Sequence, residues 1–136
     1  MAEGKVINSW EAKPFVCDQT YSSKMLLDDI VAGGKAIHIN EGTLKGGGTT
    51  LPGAAHEATE IYYVVSGEAV LHLGDKKYVI KKGSIAYIPP GVNHALENTK
   101  DEDFVLLTLW EDTKHNGVYQ ERLKAWGTSF KTIDEE

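Results

Sequence analysis

The chain has a single cysteine, Cys17, so it cannot form an internal disulfide. Nothing in the sequence sets a catalytic partner beside Cys17, and it reads as a small buried or half-buried residue rather than a nucleophile. Long apolar runs are missing, and none approaches the length of a membrane-spanning helix. The opening stretch MAEGKVINSWEAK has no apolar signal core, so a cytoplasmic protein is expected. Positive charge is also in short supply. Lys and Arg number 14 against 20 Asp and Glu, a formal charge of −6. That is the wrong sign for a nucleic-acid partner, which needs a basic face. Part of the acidic excess lies in Asp101-Glu102-Asp103 and Asp134-Glu135-Glu136, read as solvated loop and tail residues.

Helical periodicity is nearly absent as well, and strand signals take its place. The 136 residues fit one domain, and 41% hydrophobic residues suffice for one modest core. Val6-Ile7 and Phe15-Val16 are candidate edge strands, since Pro14 is tolerable only at an edge or bend. Trp10 is expected to lie over the fold. Residues 24–28 and 36–44 are two further strands, with Gly33-Gly34 as the turn between them. In the second of these, Ala36, His38 and Asn40 share one face and Ile37 and Ile39 the other. The apolar face is the expected core face, which would put His38 at the surface or the mouth. Gly46-Gly47-Gly48 is read as a plain turn, because no Gly-Lys-Ser/Thr and no helix follow it.

Beyond that turn, residues 61–65, 69–73, 77–80 and 85–88 are rich in β-branched and aromatic residues and are separated by Ser66-Gly67, Gly74-Asp75 and Lys82-Gly83. A strand then runs from His94 to Asn98, and another over 104–110. Short strands at regular spacing with glycine turns give an all-β sandwich or barrel. Residues 111–136 carry only a weak helical stripe, Val118, Leu123 and Trp126, and read as a short helix or tail packed outside. One domain over 1–136 is expected, with N-terminal strands in 1–34.

Two polar clusters stand out. In a strand running through His56-Glu57-Ala58-Thr59-Glu60, period-two alternation puts His56, Ala58, Glu60 and Tyr62 on one face. Glu57 and Thr59 take the other. A helical zinc motif does not fit, since the residue four after His56 is Glu60 and strand sequence follows. The second cluster is Pro89-Pro90-Gly91-Val92-Asn93-His94: a strand, a stiff corner, then a histidine opening a new strand. Prolines restrict such a corner and would fix the direction of a ligand. Together the clusters supply two imidazoles and a carboxylate, a set suited to a divalent transition metal with positions left open. His72 can take either face of its strand, His115 is read as solvated, and Glu97 has outward parity.

These clusters resemble the two motifs of the cupin superfamily. The first runs Gly, five residues, His-x-His, three or four residues, Glu, six residues, Gly. Here Gly48, His56, Glu60 and Gly67 match it. The second runs Gly, five residues, Pro-x-Gly, two residues, His, three residues, Asn, and Gly83, Pro89, Gly91, His94 and Asn98 match it in full. The resemblance covers about residues 35–110. It implies a double-stranded β-helix, the jelly-roll barrel, with a metal inside its mouth. One position departs: the first histidine of the His-x-His pair falls at Ala54. The implied ligand set is therefore His56, Glu60 and His94, holding iron, manganese, nickel or zinc, with His38 an alternative for the missing ligand. Glu60, Tyr62 and Tyr87 are the candidates for proton transfer or substrate anchoring, and core packing is the alternative for either tyrosine.

Three functions fit this resemblance. One is a metal-dependent enzyme using Lewis-acid chemistry on a small oxygenated substrate, as an isomerase, epimerase, lyase or cyclase would. Another is a non-haem iron dioxygenase. The third is a non-catalytic module that binds a small molecule. Single-domain barrels of this superfamily are commonly dimers, so a homodimer is implied, with the N-terminal stretch a candidate for exchange between copies.

Overall fold

The computed structural model describes residues 4–16, 20–27, 36–50 and 58–111. Among the described residues nine strands run in chain order: β1 (Phe15–Val16), β2 (Tyr21–Leu27), β3 (Ile37–Leu44), β4 (Glu60–Ser66), β5 (Glu68–Leu73), β6 (Lys76–Lys81), β7 (Ile85–Ile88), β8 (His94–Glu97) and β9 (Phe104–Glu111). One sheet has six strands in the order β1-β2-β3-β9-β4-β7, and the other has three in the order β6-β5-β8. Every pairing is antiparallel. This is an all-β jelly-roll barrel, a double-stranded β-helix. The expected strands from β2 to β9 fall within a few residues of their places. Of the N-terminal pair, only Phe15–Val16 is a strand, and it lies at the sheet edge. Val6 lies in exposed coil, and Trp10 projects into solvent from a short 3-10 turn (Ser9–Glu11) instead of covering the barrel. The Gly33-Gly34 turn, Cys17 and the C-terminal stripe lie outside the described residues.

The core lies between the two sheets. The larger sheet contributes Leu44, Tyr62, Val64, Ala86, Ile88, Phe104 and Leu106; the smaller contributes Ala69, Leu71, Ile80 and Leu96. Each large apolar side chain removed from water stabilises the fold by roughly 1.5–3 kcal/mol. Cross-strand register arranges the inward residues of the larger sheet in rows. At one end Leu44 pairs with Phe104 on β3–β9. The next row is Gly42, Leu106 and Val64, and the one after it Asn40, Thr108, Tyr62 and Ala86. The last is His38, Trp110, Glu60 and Ile88. The interior is thus apolar at one end and polar at the other.

That gradient reverses the expected faces of β3. Leu44 pairs with Phe104, and both are fully buried, which fixes the parity of the whole strand. With a period of two, Gly42, Asn40 and His38 must then face inward as well. His38 is completely buried and Asn40 nearly so, while Ile37 is 53% exposed. The polar face of this strand is the inside of the barrel because that end of the inside is polar.

Candidate metal centre in the barrel interior

β4 and the corner before β8 bring the two motifs together. Glu60 and Tyr62 share the inward parity of β4. Opposite them the chain leaves β7 through a tight turn in which the Val92 N–H donates to the Pro89 carbonyl at 3.3 Å. Pro90 takes the first central position of that turn. Gly91 takes the second with φ 84°, a left-handed conformation that disfavours any residue with a Cβ. The turn aims the Val92 carbonyl at the next histidine, and His94 Nδ1 lies 3.0 Å from that oxygen. A carbonyl only accepts, so Nδ1 carries the proton. Nε2 is then the nitrogen presented to the interior.

His94 Nε2 lies 3.8 Å from Glu60 Oε2; the imidazole is buried and the carboxylate half-buried. Metal–nitrogen and metal–oxygen bonds run to about 2.0–2.2 Å each, so one ion between these atoms can touch both. A carbonyl-anchored imidazole beside a carboxylate is the arrangement in which the anchor fixes tautomer and ring direction. The donors therefore fit a divalent transition ion. Among the described residues, no group of three or more metal-ligating side chains is assembled. His56, the third expected ligand, lies outside the described residues, as do Ala54, Glu57 and His115. An open cleft of about 350 Å³ lined by His72, Gly74, Asn93, His94 and Ala95 lies beside the corner.

Tyr62 completes the cluster. Its ring meets the His94 imidazole edge-on, with centroids 6.0 Å apart and planes at 77°. Its hydroxyl donates to Glu60. Burial holds this phenol protonated well above the ordinary tyrosine range, and the charges of Glu60 and Tyr21 and the bond to Glu60 push the same way. Tyr62 is accordingly a neutral hydrogen-bond donor. Tyr21 comes from β2, and its hydroxyl occupies the space a side chain at Gly42 would fill: a Cβ there would clash with the Tyr21 oxygen. Gly42 is what lets this second phenol inside.

The remaining candidates divide clearly. Tyr87 does not line the interior: it is 60% exposed on the outward parity of β7, where Ala86 and Ile88 point in. His38 is inside, but its ring stacks on Trp110 with centroids 5.4 Å apart. Trp110 sits between His38 and Glu60 in their shared row, so His38 backs an aromatic wall. His72 faces outward and pairs with Glu97 at 3.4 Å, in keeping with the outward parity expected of Glu97. Asn98, the last residue of the second motif, is a clamp. It is almost fully buried, donates to the carbonyls of Leu44 and Glu102, and accepts from the Lys100 N–H. Asn40, Thr108, Trp110 and Tyr21 escaped the sequence reading. The parity set by Phe104 and Leu106 would have found Thr108 and Trp110, which alternate with them on β9.

Comparison with known proteins agrees with this fold. Residues 40–110, more than half of the chain, match the family model described as the Cupin domain. The chain belongs to the cupin family. Among curated relatives of this cupin, an uncharacterised protein of Methanocaldococcus jannaschii is 30% identical over 86 residues, which cover 63% of the chain and 69% of that protein. An oxalate-binding protein of Thermotoga maritima is 38% identical over 50 residues, 37% of the chain and 41% of that protein. Among solved structures, that of a predicted oxalate decarboxylase from Thermotoga maritima superposes with a TM-score of 0.72 at 26% identity, covering 79% of this chain and 98% of that one.

Proposed function

We propose that this cupin is a metal-dependent enzyme acting on a small oxygenated substrate. His56, Glu60 and His94 would hold a divalent transition ion, which supplies Lewis-acid polarisation of a carbonyl or hydroxyl oxygen. The observation that carries the reading is the anchored imidazole: His94 Nδ1 is tied to the Val92 carbonyl, and Nε2 is left facing Glu60 at 3.8 Å. Three protein ligands leave positions open for water or substrate, as a catalytic site requires. Tyr62 orients the Glu60 carboxylate through its hydrogen bond and offers a phenol proton beside the ligands. Asn40 and Thr108, in the row of Tyr62, add neutral hydrogen-bonding groups to the wall. The oxalate-binding relative supports a small, oxygen-rich ligand.

Two imidazoles and one carboxylate also form the facial set of non-haem iron oxygenases, which is the specific ground for the second reading. Elemental analysis separates the two. The full chain, purified without chelator, is compared with His94→Ala. Near-stoichiometric metal in the wild type and its loss in the variant support the site. Manganese, nickel or zinc selects Lewis-acid chemistry; iron, with oxygen uptake on turnover, selects the oxygenase. Metal-free protein that stays metal-free after loading contradicts both and leaves a non-catalytic binder.

A further inference from the structure

A belt of neutral hydrogen-bonding side chains crosses the inside of the larger sheet, between its apolar end and the Glu60–His94 pair. Thr108 of β9 stands between Asn40 of β3 and Tyr62 of β4 in one row. Towards β2, the Asn40 amide donates to the Ser23 hydroxyl at 3.0 Å. Tyr21, two residues before Ser23 on the same face of β2, brings a second phenol within electrostatic reach of Tyr62. Ser23, Asn40, Tyr62 and Thr108 are each at most 8% exposed. Burying such groups costs stability unless they are partnered, and leucine or valine would fill the same inward positions at a gain. Gly42 points the same way. A glycine inside a strand weakens it and marks a close approach. Here the approach is that of the Tyr21 hydroxyl, which a Cβ at position 42 would displace. The chain thus gives up apolar packing on four adjacent strands to keep this belt.

We infer that Tyr21 is a specificity-determining residue, and that the belt binds an uncharged hydroxyl or carbonyl oxygen at the end of the substrate remote from the ion. The inference deepens the metal-dependent reading and rests on it. Tyr62 lies one row from Glu60, and the Tyr21 hydroxyl, against Gly42 in the row of Val64, lies two rows away. Those rows are about 7 and 13 Å along the strands from the level of Glu60. A substrate with one oxygen at the ion and another at a distance between these meets both ends of the site. The composition of the belt sets the class of that second group. Asn, Ser, Thr and Tyr supply dipoles and hydrogen bonds but no full charge. A hydroxyl or carbonyl exchanges water for such partners with little loss. A carboxylate or phosphate would be stripped of water with no opposite charge among these five side chains to replace it. The fitting class is therefore a compound whose remote oxygen is neutral, such as a hydroxy acid, a hydroxy ketone or a polyol, and not a dicarboxylate.

Calorimetric titration of the metal-loaded full chain with matched trios of linear probes, four to nine carbons long, tests it. Each trio is an alkanoate, the ω-hydroxyalkanoate and the α,ω-dicarboxylate. The shared carboxylate addresses the ion, and only the remote end differs. At the best length the hydroxyl compound is expected to bind at least about 5-fold tighter than the alkanoate, the yield of one net hydrogen bond. The dicarboxylate is expected to bind no tighter than the alkanoate. Tyr21→Phe should shrink the hydroxyl advantage to within about 2-fold while metal content and alkanoate affinity keep their wild-type values. A merely structural role would lower all three affinities together. The wild-type comparison needs no variant to fold. Stoichiometric metal without a hydroxyl advantage at any length overturns the inference and leaves the metal reading standing. So does an advantage that Tyr21→Phe leaves intact, or a dicarboxylate that binds tightest. A chain that takes up no metal on loading overturns both.

Discussion

Tyr62 shows how much of the site's chemistry is set by one buried side chain. Its phenol is held protonated above its ordinary value of 10.0, chiefly by burial and next by the adjacent Glu60. Below pH 10 folded and unfolded chains both carry the proton, and the group leaves stability unchanged with pH. Above it the unfolded chain loses the proton first, so folding stability falls as pH rises towards the folded-state value, by at most about 1.4 kcal/mol per pH unit. Metal-free wild type should therefore lose stability more steeply than Tyr62→Phe as pH rises above 10, read as the urea midpoint. Parallel slopes would contradict the assigned environment. Asn98 makes a different kind of claim. Asn98→Ala leaves the Leu44 and Glu102 carbonyls and the Lys100 N–H without their partner and should lower stability by roughly 2–3 kcal/mol in denaturant unfolding.

Among the elements, the corner between β7 and β8 carries the most information per residue. Gly91 has φ 84° with open space around it, so Gly91→Ala meets backbone strain and no clash. It should cost about 1–2 kcal/mol of stability. A displaced Val92 carbonyl would also loosen His94 and weaken metal binding by roughly 10–100-fold, as loss of an outer-shell anchor does. Unchanged affinity in a calorimetric titration would show that the corner does not aim the ligand. This corner was legible in the sequence because Pro-Pro-Gly states its own geometry, and β7 falls over the expected residues. Strand β3 was legible as a strand but not as a surface. Its isoleucines suggested the core face, yet pairing with β9 sends His38 and Asn40 inside. Register is a long-range property, and local apolarity misleads where the interior is a polar site. Tyr87 was misassigned for the same reason in reverse, its aromatic ring belonging to an apolar outer face.

At the scale of the whole molecule, the barrel separates stability from chemistry along its axis. Leu44, Phe104, Leu106 and Val64 close one end; Glu60, Tyr62, His38 and His94 line the other. Phe104→Ala should therefore destabilise by about 3–5 kcal/mol while the affinity for metal in the folded fraction stays within a few-fold of wild type. A large affinity loss would mean that the two ends are mechanically coupled. The central claim is that the anchored imidazole of His94 is a metal ligand. X-ray absorption of the cobalt(II)-loaded full chain, beside His94→Ala reloaded under the same conditions, counts imidazoles at the ion directly. The account predicts two in the wild type, from His56 and His94, and one fewer in the variant. An unchanged count, or a wild-type ion with no imidazole at all, would contradict it.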